Sequence, residues 1–100
     1  MADTKLDVTV SGGIAPVTIQ VRFFKDGQHE FDISSSKSFS HRLIGLTTGI
    51  YDIYIDGFNP VGGSTTCAID TSQINLIPPD DTPDTENGVS YHVEFHFTVV

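Results

Sequence analysis

At 100 residues with an apolar share of 38%, the chain is long enough for one packed core and too short for two, so a single domain spanning 1–100 is expected. Thirteen acidic residues against five basic ones leave a formal charge of -8, which repels phosphate backbones and anionic lipid and argues against nucleic acid as a partner. The lone Cys67 excludes an internal disulfide and a cysteine-built zinc site, and no run approaches the ~20 apolar residues of a membrane-spanning helix, so no membrane insertion is expected.

Apolar and polar residues alternate with period 2 in segment after segment, while a helical stripe of period 3.6 is missing. The first strand is expected over Lys5 to Ser11, with Leu6, Val8 and Val10 on one face and Asp7 and Thr9 on the other; Gly12 and Gly13 end it. Val17, Ile19, Val21 and Phe23 form the next inward row against Thr18, Gln20 and Arg22. The pair Asp26-Gly27 then signals a hairpin turn. Phe31 and Ile33 face inward on a shorter strand, and SSSKS connects it across the surface to a strand from Phe39 to Ile44. Further on, Tyr51, Ile53 and Ile55 oppose Asp52, Tyr54 and Asp56. NPVGG, residues 59–63, reads as a turn before a strand through Thr65 to Asp70, where Cys67 and Ile69 are expected inside. A short apolar segment follows at Ile74 to Ile77. The stretch 78–88, with three prolines and four acids, is expected to be an exposed loop. In the last strand Tyr91, Val93, Phe95, Phe97 and Val99 alternate with His92, Glu94, His96 and Thr98. Seven or eight short strands with turn signals between them point to an all-β fold, an antiparallel immunoglobulin-like β-sandwich.

Two stretches, VTVSGGIAPVTIQVRF near the start and LIGLTTGIYDIYIDGFNPVGGSTTCAID in the middle, resemble the immunoglobulin-like repeat modules of large bacterial surface adhesins. The corner formed by Leu46, Gly49 and Tyr51 also resembles that of transthyretin-like and carboxypeptidase-regulatory-like sandwiches. In this corner Leu46 is expected to plug the core and Gly49 to permit the bend, while Tyr51 packs its ring and reaches a backbone group with its hydroxyl. Either resemblance implies a structural or ligand-binding domain with no catalytic residues.

Three groups of side chains are chemically suggestive. His92, Glu94 and His96 share one face and are zinc-ligating types. Strand geometry puts the two histidines ~13 Å apart, so a zinc site would need help from a neighbouring strand, for instance His29, Glu30 or His41. Asp80, Asp81, Asp84 and Glu86 offer the oxygen ligands calcium prefers, without the order of a helix-loop-helix calcium loop. Tyr54 and Phe58, with Asn59 beside them, could form a platform for a sugar ring. No nucleophile elbow, phosphate-cradling loop or helical zinc motif is present, and Cys67 sits in an apolar setting, so the chain is not expected to be an enzyme.

The sequence therefore points to a non-catalytic structural or adhesive module engaged in protein-protein assembly, within a surface protein or a virion-like or contractile particle. The interface is expected on the last strand, through Tyr91, Val93, Phe95, Phe97 and Val99 adding to an open sheet edge of a neighbour or of a second copy. The alternative is a carbohydrate- or calcium-binding sandwich. No cofactor is expected beyond a possible calcium ion. The N-terminus lacks a secretory signal pattern, which leaves the location open between an extracellular setting and a particle.

Overall fold

The computed structural model describes residues 1–13, 17–77 and 83–100. Alternation builds nine strands among them: β1 (Ala2–Ser11), β2 (Thr18–Lys25), β3 (Gln28–Ser35), β4 (Phe39–Leu46), β5 (Gly49–Phe58), β6 (Ser64–Ile69), β7 (Asn75–Ile77), β8 (Asp84–Glu86) and β9 (Ser90–Val99). They form two antiparallel sheets, one in the order β4-β1-β6-β8 and the other in the order β3-β2-β5-β9-β7. The fold is an all-β sandwich. The ninth strand is β8, which falls inside the stretch expected to be loop. Its three residues pair with Thr65, Thr66 and Cys67 of β6 and close that edge, so backbone pairing overrides the loop-like composition.

The core is the meeting of two inner faces. Leu6, Val8 and Cys67 come from one sheet and Ile19, Val21, Ile53, Ile55 and Phe97 from the other, each with almost no exposed surface. β2 turns into β3 through Asp26 and Gly27 alone, both at positive φ (50° and 80°), as a tight hairpin turn of the primed type demands. The Asp26 carboxylate accepts a bond from the Ile50 amide and its own amide donates to the Ile50 carbonyl, which ties the turn to β5.

At the corner between β4 and β5, the Tyr51 hydroxyl donates to the Thr47 carbonyl at 2.7 Å, and Leu46 packs against the core. At Gly49 the φ is outside the left-handed region, and a Cβ would meet only side-chain ends, 2.9 Å from Lys25 Cε and 3.1 Å from Asp26 Oδ2.

β3 and β4 are the long free edges, and each is interrupted by one extra residue. Glu30 bulges out of the β2-β3 ladder, and an extra residue in Ile44-Gly45 stands opposite Asp3 of β1, with Gly45 at φ 67° and its amide donating to Asp3 Oδ1. Bulges of this kind blunt edges that would otherwise template pairing with another chain.

Candidate functional site

The sheet pairings place the expected interface residues differently. β9 pairs with β5 along its whole length and with the short β7 at residues 96–98, and Tyr91, Val93, Phe95, Phe97 and Val99 all point into the core with 8% exposure or less. Its apolar row is already buried and has no surface to offer a partner. The interface expected there is therefore corrected: those five side chains hold the sandwich together.

The other face of β9 is the chemically organised surface. Register sets three strands side by side in rows: Gln20–Asp56–His92, Arg22–Tyr54–Glu94 and Phe24–Asp52–His96, from β2, β5 and β9. Because residues directly opposite lie about 5 Å apart, each row is in side-chain contact range. His92 Nδ1 sits 2.5 Å from Asp56 Oδ1 and its Nε2 2.7 Å from Glu94 Oε2. The second Glu94 oxygen is 2.9 Å from His96 Nε2, and His96 Nδ1 is 2.6 Å from Asp52 Oδ1. Arg22 reaches the remaining Asp56 oxygen at 3.3 Å. The result is one unbroken ladder, Arg22–Asp56–His92–Glu94–His96–Asp52.

Carboxylate oxygens only accept, so a ring nitrogen that faces one must donate. Each imidazole faces a carboxylate with both nitrogens, so the doubly protonated ring is the form that satisfies all four contacts. With both rings in that form, three carboxylates meet two imidazolium ions and one guanidinium, and the charges sum to zero. The acidity of the groups follows the geometry. Asp56, and then Glu94, hold the His92 pKa above its ordinary value; Asp52 does most of the same for His96; and the two histidines hold Glu94 below its own.

Tyr54 stands at the centre. The Arg22 guanidinium carbon lies 5.7 Å from its ring centroid on the β2 side, and His92 stacks at 6.2 Å with 21° between planes on the β9 side. Phe24 and His96 meet the ring edgewise at 5.4 and 5.9 Å. From β7, the half-exposed Ile77 stands opposite His96 and brings no charge.

The remaining expected residues are dispersed. Phe58 is exposed on the same face, at the end of β5 opposite Thr18 and Ser90. With Gln20, Asp56 and His92 it lines a shallow groove of about 520 Å³. Asn59 acts as a clamp: its amide nitrogen donates to the Glu86 and Gly88 carbonyls and its amide oxygen accepts from the Thr65 hydroxyl, which pins the β8 segment to the turn after β5. Asp80 and Asp81 lie outside the described residues. Asp84 and Glu86 are in β8, where burial and the Asp84 charge push the Glu86 carboxyl up. His29 pairs with Asp32, and His41 sits against Phe23 and Phe31, so neither stands beside His92 or His96 to complete a zinc set. Among the described residues no three His, Cys, Asp or Glu side chains converge to hold a metal ion. Burial pushes the Cys67 thiol up to about 12.

Sequence reasoning missed Arg22, Phe24, Asp52 and Asp56 as site residues. The signal was present in the outward row of β5, Asp52–Tyr54–Asp56, and it needed only the β5-β9 pairing to meet His92–Glu94–His96. No family model, no curated protein and no solved structure matches this chain.

Proposed function

We propose that the chain is a non-catalytic module of the immunoglobulin-like kind that engages a protein partner through the outer face of its five-stranded sheet. It would serve as a unit of a surface protein or a subunit of a virion-like or contractile particle. The observation that carries this reading is the six-residue ladder with Tyr54 at its centre. Surface charges on a sheet are usually separate and solvated, whereas these are tied to one another, so binding would have little side-chain freedom left to remove. Tyr and Arg are also the side chains most enriched where interfaces concentrate their energy. No cofactor enters this reading.

A photo-crosslinking amino acid placed at Gln20, on this face, and at Thr9, on the outer face of the other sheet, tests it in the cells that make the protein. A discrete protein adduct from position 20 and none from position 9 is the expected outcome. Adducts from both positions alike, or none from position 20, would overturn the reading.

A second reading, carbohydrate binding, is favoured by the groove beside Phe58, where an exposed ring lies next to the Gln20 amide and the Asp56 carboxylate. Glycan binding that Phe58→Ala removes without changing stability would select it. Loss of all glycan binding to the intact chain would discard it.

A further inference from the structure

The side of the sandwich opposite β7 and β8 is framed by the free edges of β3 and β4, and there a pocket open to solvent enters between the sheets. A cavity of about 180 Å³ lies between the sheets, walled by Phe23, Phe31, Leu43, Leu46, Tyr51 and Phe97. A concave, mostly apolar pocket with a few polar groups at its rim is the form small-molecule sites take.

Three observations separate this space from a packing gap. Its walls are fixed. Phe31 stacks on Phe23 at 4.4 Å with 15° between planes, Tyr51 stacks on Phe97 at 5.0 Å with 6°, and the Tyr51 hydroxyl is anchored on the Thr47 carbonyl. Its mouth is shaped from both sides, because the bulges at Glu30 in β3 and at Ile44-Gly45 in β4 fall beside the lining residues of each strand. Finally, polar groups are confined to the rim. Lys25 and Glu30 are the charged residues among the lining; the Lys25 ammonium donates to the Thr47 hydroxyl at 2.5 Å and lies 5.7 Å from the Tyr51 ring centroid. The absence of a side chain at Gly49 leaves the room that the Lys25 chain occupies.

Apolar cavities of roughly 150 Å³ lined by aliphatic and aromatic side chains stay dry and take up benzene. We propose that this cavity is a binding site for a monocyclic aromatic compound with a small phenolic or anionic head, the ring between Tyr51 and Phe31 and the head at Lys25. The site is separate from the outer sheet face and does not depend on the function proposed for it.

Toluene supplies the ring alone and 4-methylphenol the ring with its head, and both are titrated into the full chain while backbone and methyl resonances are followed. Saturable shifts confined to Leu43, Leu46, Tyr51, Ile53 and their neighbours are expected with both probes. Leu46→Trp and Leu43→Phe place bulk in the cavity, and either one, if folded, is expected to weaken both probes at least tenfold. Lys25→Met is expected to weaken 4-methylphenol about threefold or more and to leave toluene unchanged. Non-saturable or scattered shifts with the intact chain, or undiminished binding to a folded filled variant, would overturn the site. An equal effect of Lys25→Met on the two probes would overturn the role given to Lys25.

Discussion

Gly57 carries a sharp prediction because its constraint is entirely spatial. It lies on the inner face of β5 opposite Tyr91, and its φ is not in the left-handed region, so the backbone itself accepts any residue. A Cβ there would stand 2.6 Å from Tyr91 Cζ and 2.8 Å from the Thr18 carbonyl oxygen, and closer still to the Tyr91 hydroxyl. One of these neighbours is main chain of β2 and the other a ring held in the core, so neither can yield freely. Overpacking of this kind costs about 1–3 kcal/mol, and the entropic gain of replacing a strand glycine, about 0.5–1 kcal/mol, offsets only part of it. Gly57→Ala is therefore expected to lower stability by roughly 1–2 kcal/mol in urea denaturation, read as a lower midpoint at unchanged slope. Tyr91→Phe supplies the control. Among the described residues the Tyr91 hydroxyl is buried with no hydrogen bond of good geometry, the Thr65 hydroxyl beside it donating to Asn59 instead. Removing that oxygen should be neutral or stabilising by up to about 1 kcal/mol. In the Gly57→Ala background it should recover part of the loss, because the contacts at Cζ and at Thr18 remain. A stabilising Gly57→Ala, or additivity of the two changes, would refute the argument.

Three more outcomes follow from the same coordinates. Both ladder histidines are held above their ordinary pKa of 6.5, so the stability they contribute is complete below about that pH and is lost as pH rises through the raised values; Glu94, held below 4.5, contributes above that pH and loses it as pH falls through the lowered value. The difference in urea midpoint between the intact chain and a His92→Gln/His96→Gln variant should accordingly be largest near pH 5–6 and shrink at alkaline pH. Asn59→Ala removes three bonds to the Glu86 and Gly88 carbonyls and the Thr65 hydroxyl; a loss of about 2 kcal/mol is expected, with hydrogen exchange accelerated first at the β8 amides. Cys67, fully buried and with its thiol pushed up to about 12, should resist thiol reagents in the folded chain and react at once in denaturant.

Strand positions and faces were legible in the sequence because a half-buried strand writes its environment directly into alternation. Leu6 and Val8, Val21 and Phe23, and Ile53 and Ile55 are inside as their period demands. The Asp26-Gly27 hairpin and the Tyr51 corner were equally readable, since each depends on a few adjacent residues. Neighbour relations between distant strands were not, because alternation says which face is buried without saying which strand lies alongside. That gap produced the expected interface on β9: an apolar row looks the same in sequence whether it meets a neighbour or the sandwich's own second sheet. It also hid the ladder, whose two halves are 36 to 44 residues apart. β8 escaped detection for another reason. Its residues Asp84, Thr85 and Glu86 have a loop's composition, and they are held by β6 backbone and by Asn59, neither of which leaves a local signature.

The protonation state of the outer face tests the account most directly. Nitrogen NMR of the imidazole rings distinguishes a doubly protonated ring from either neutral tautomer. As pH is raised from about 5, His92 and His96 should both keep two protonated nitrogens past the ordinary imidazole value of 6.5 before losing one. Neutral rings at His92 and His96 titrating near 6.5 would contradict the account, because a ring lacking one proton cannot donate to carboxylates on both sides, and the ladder that organises this face would be broken.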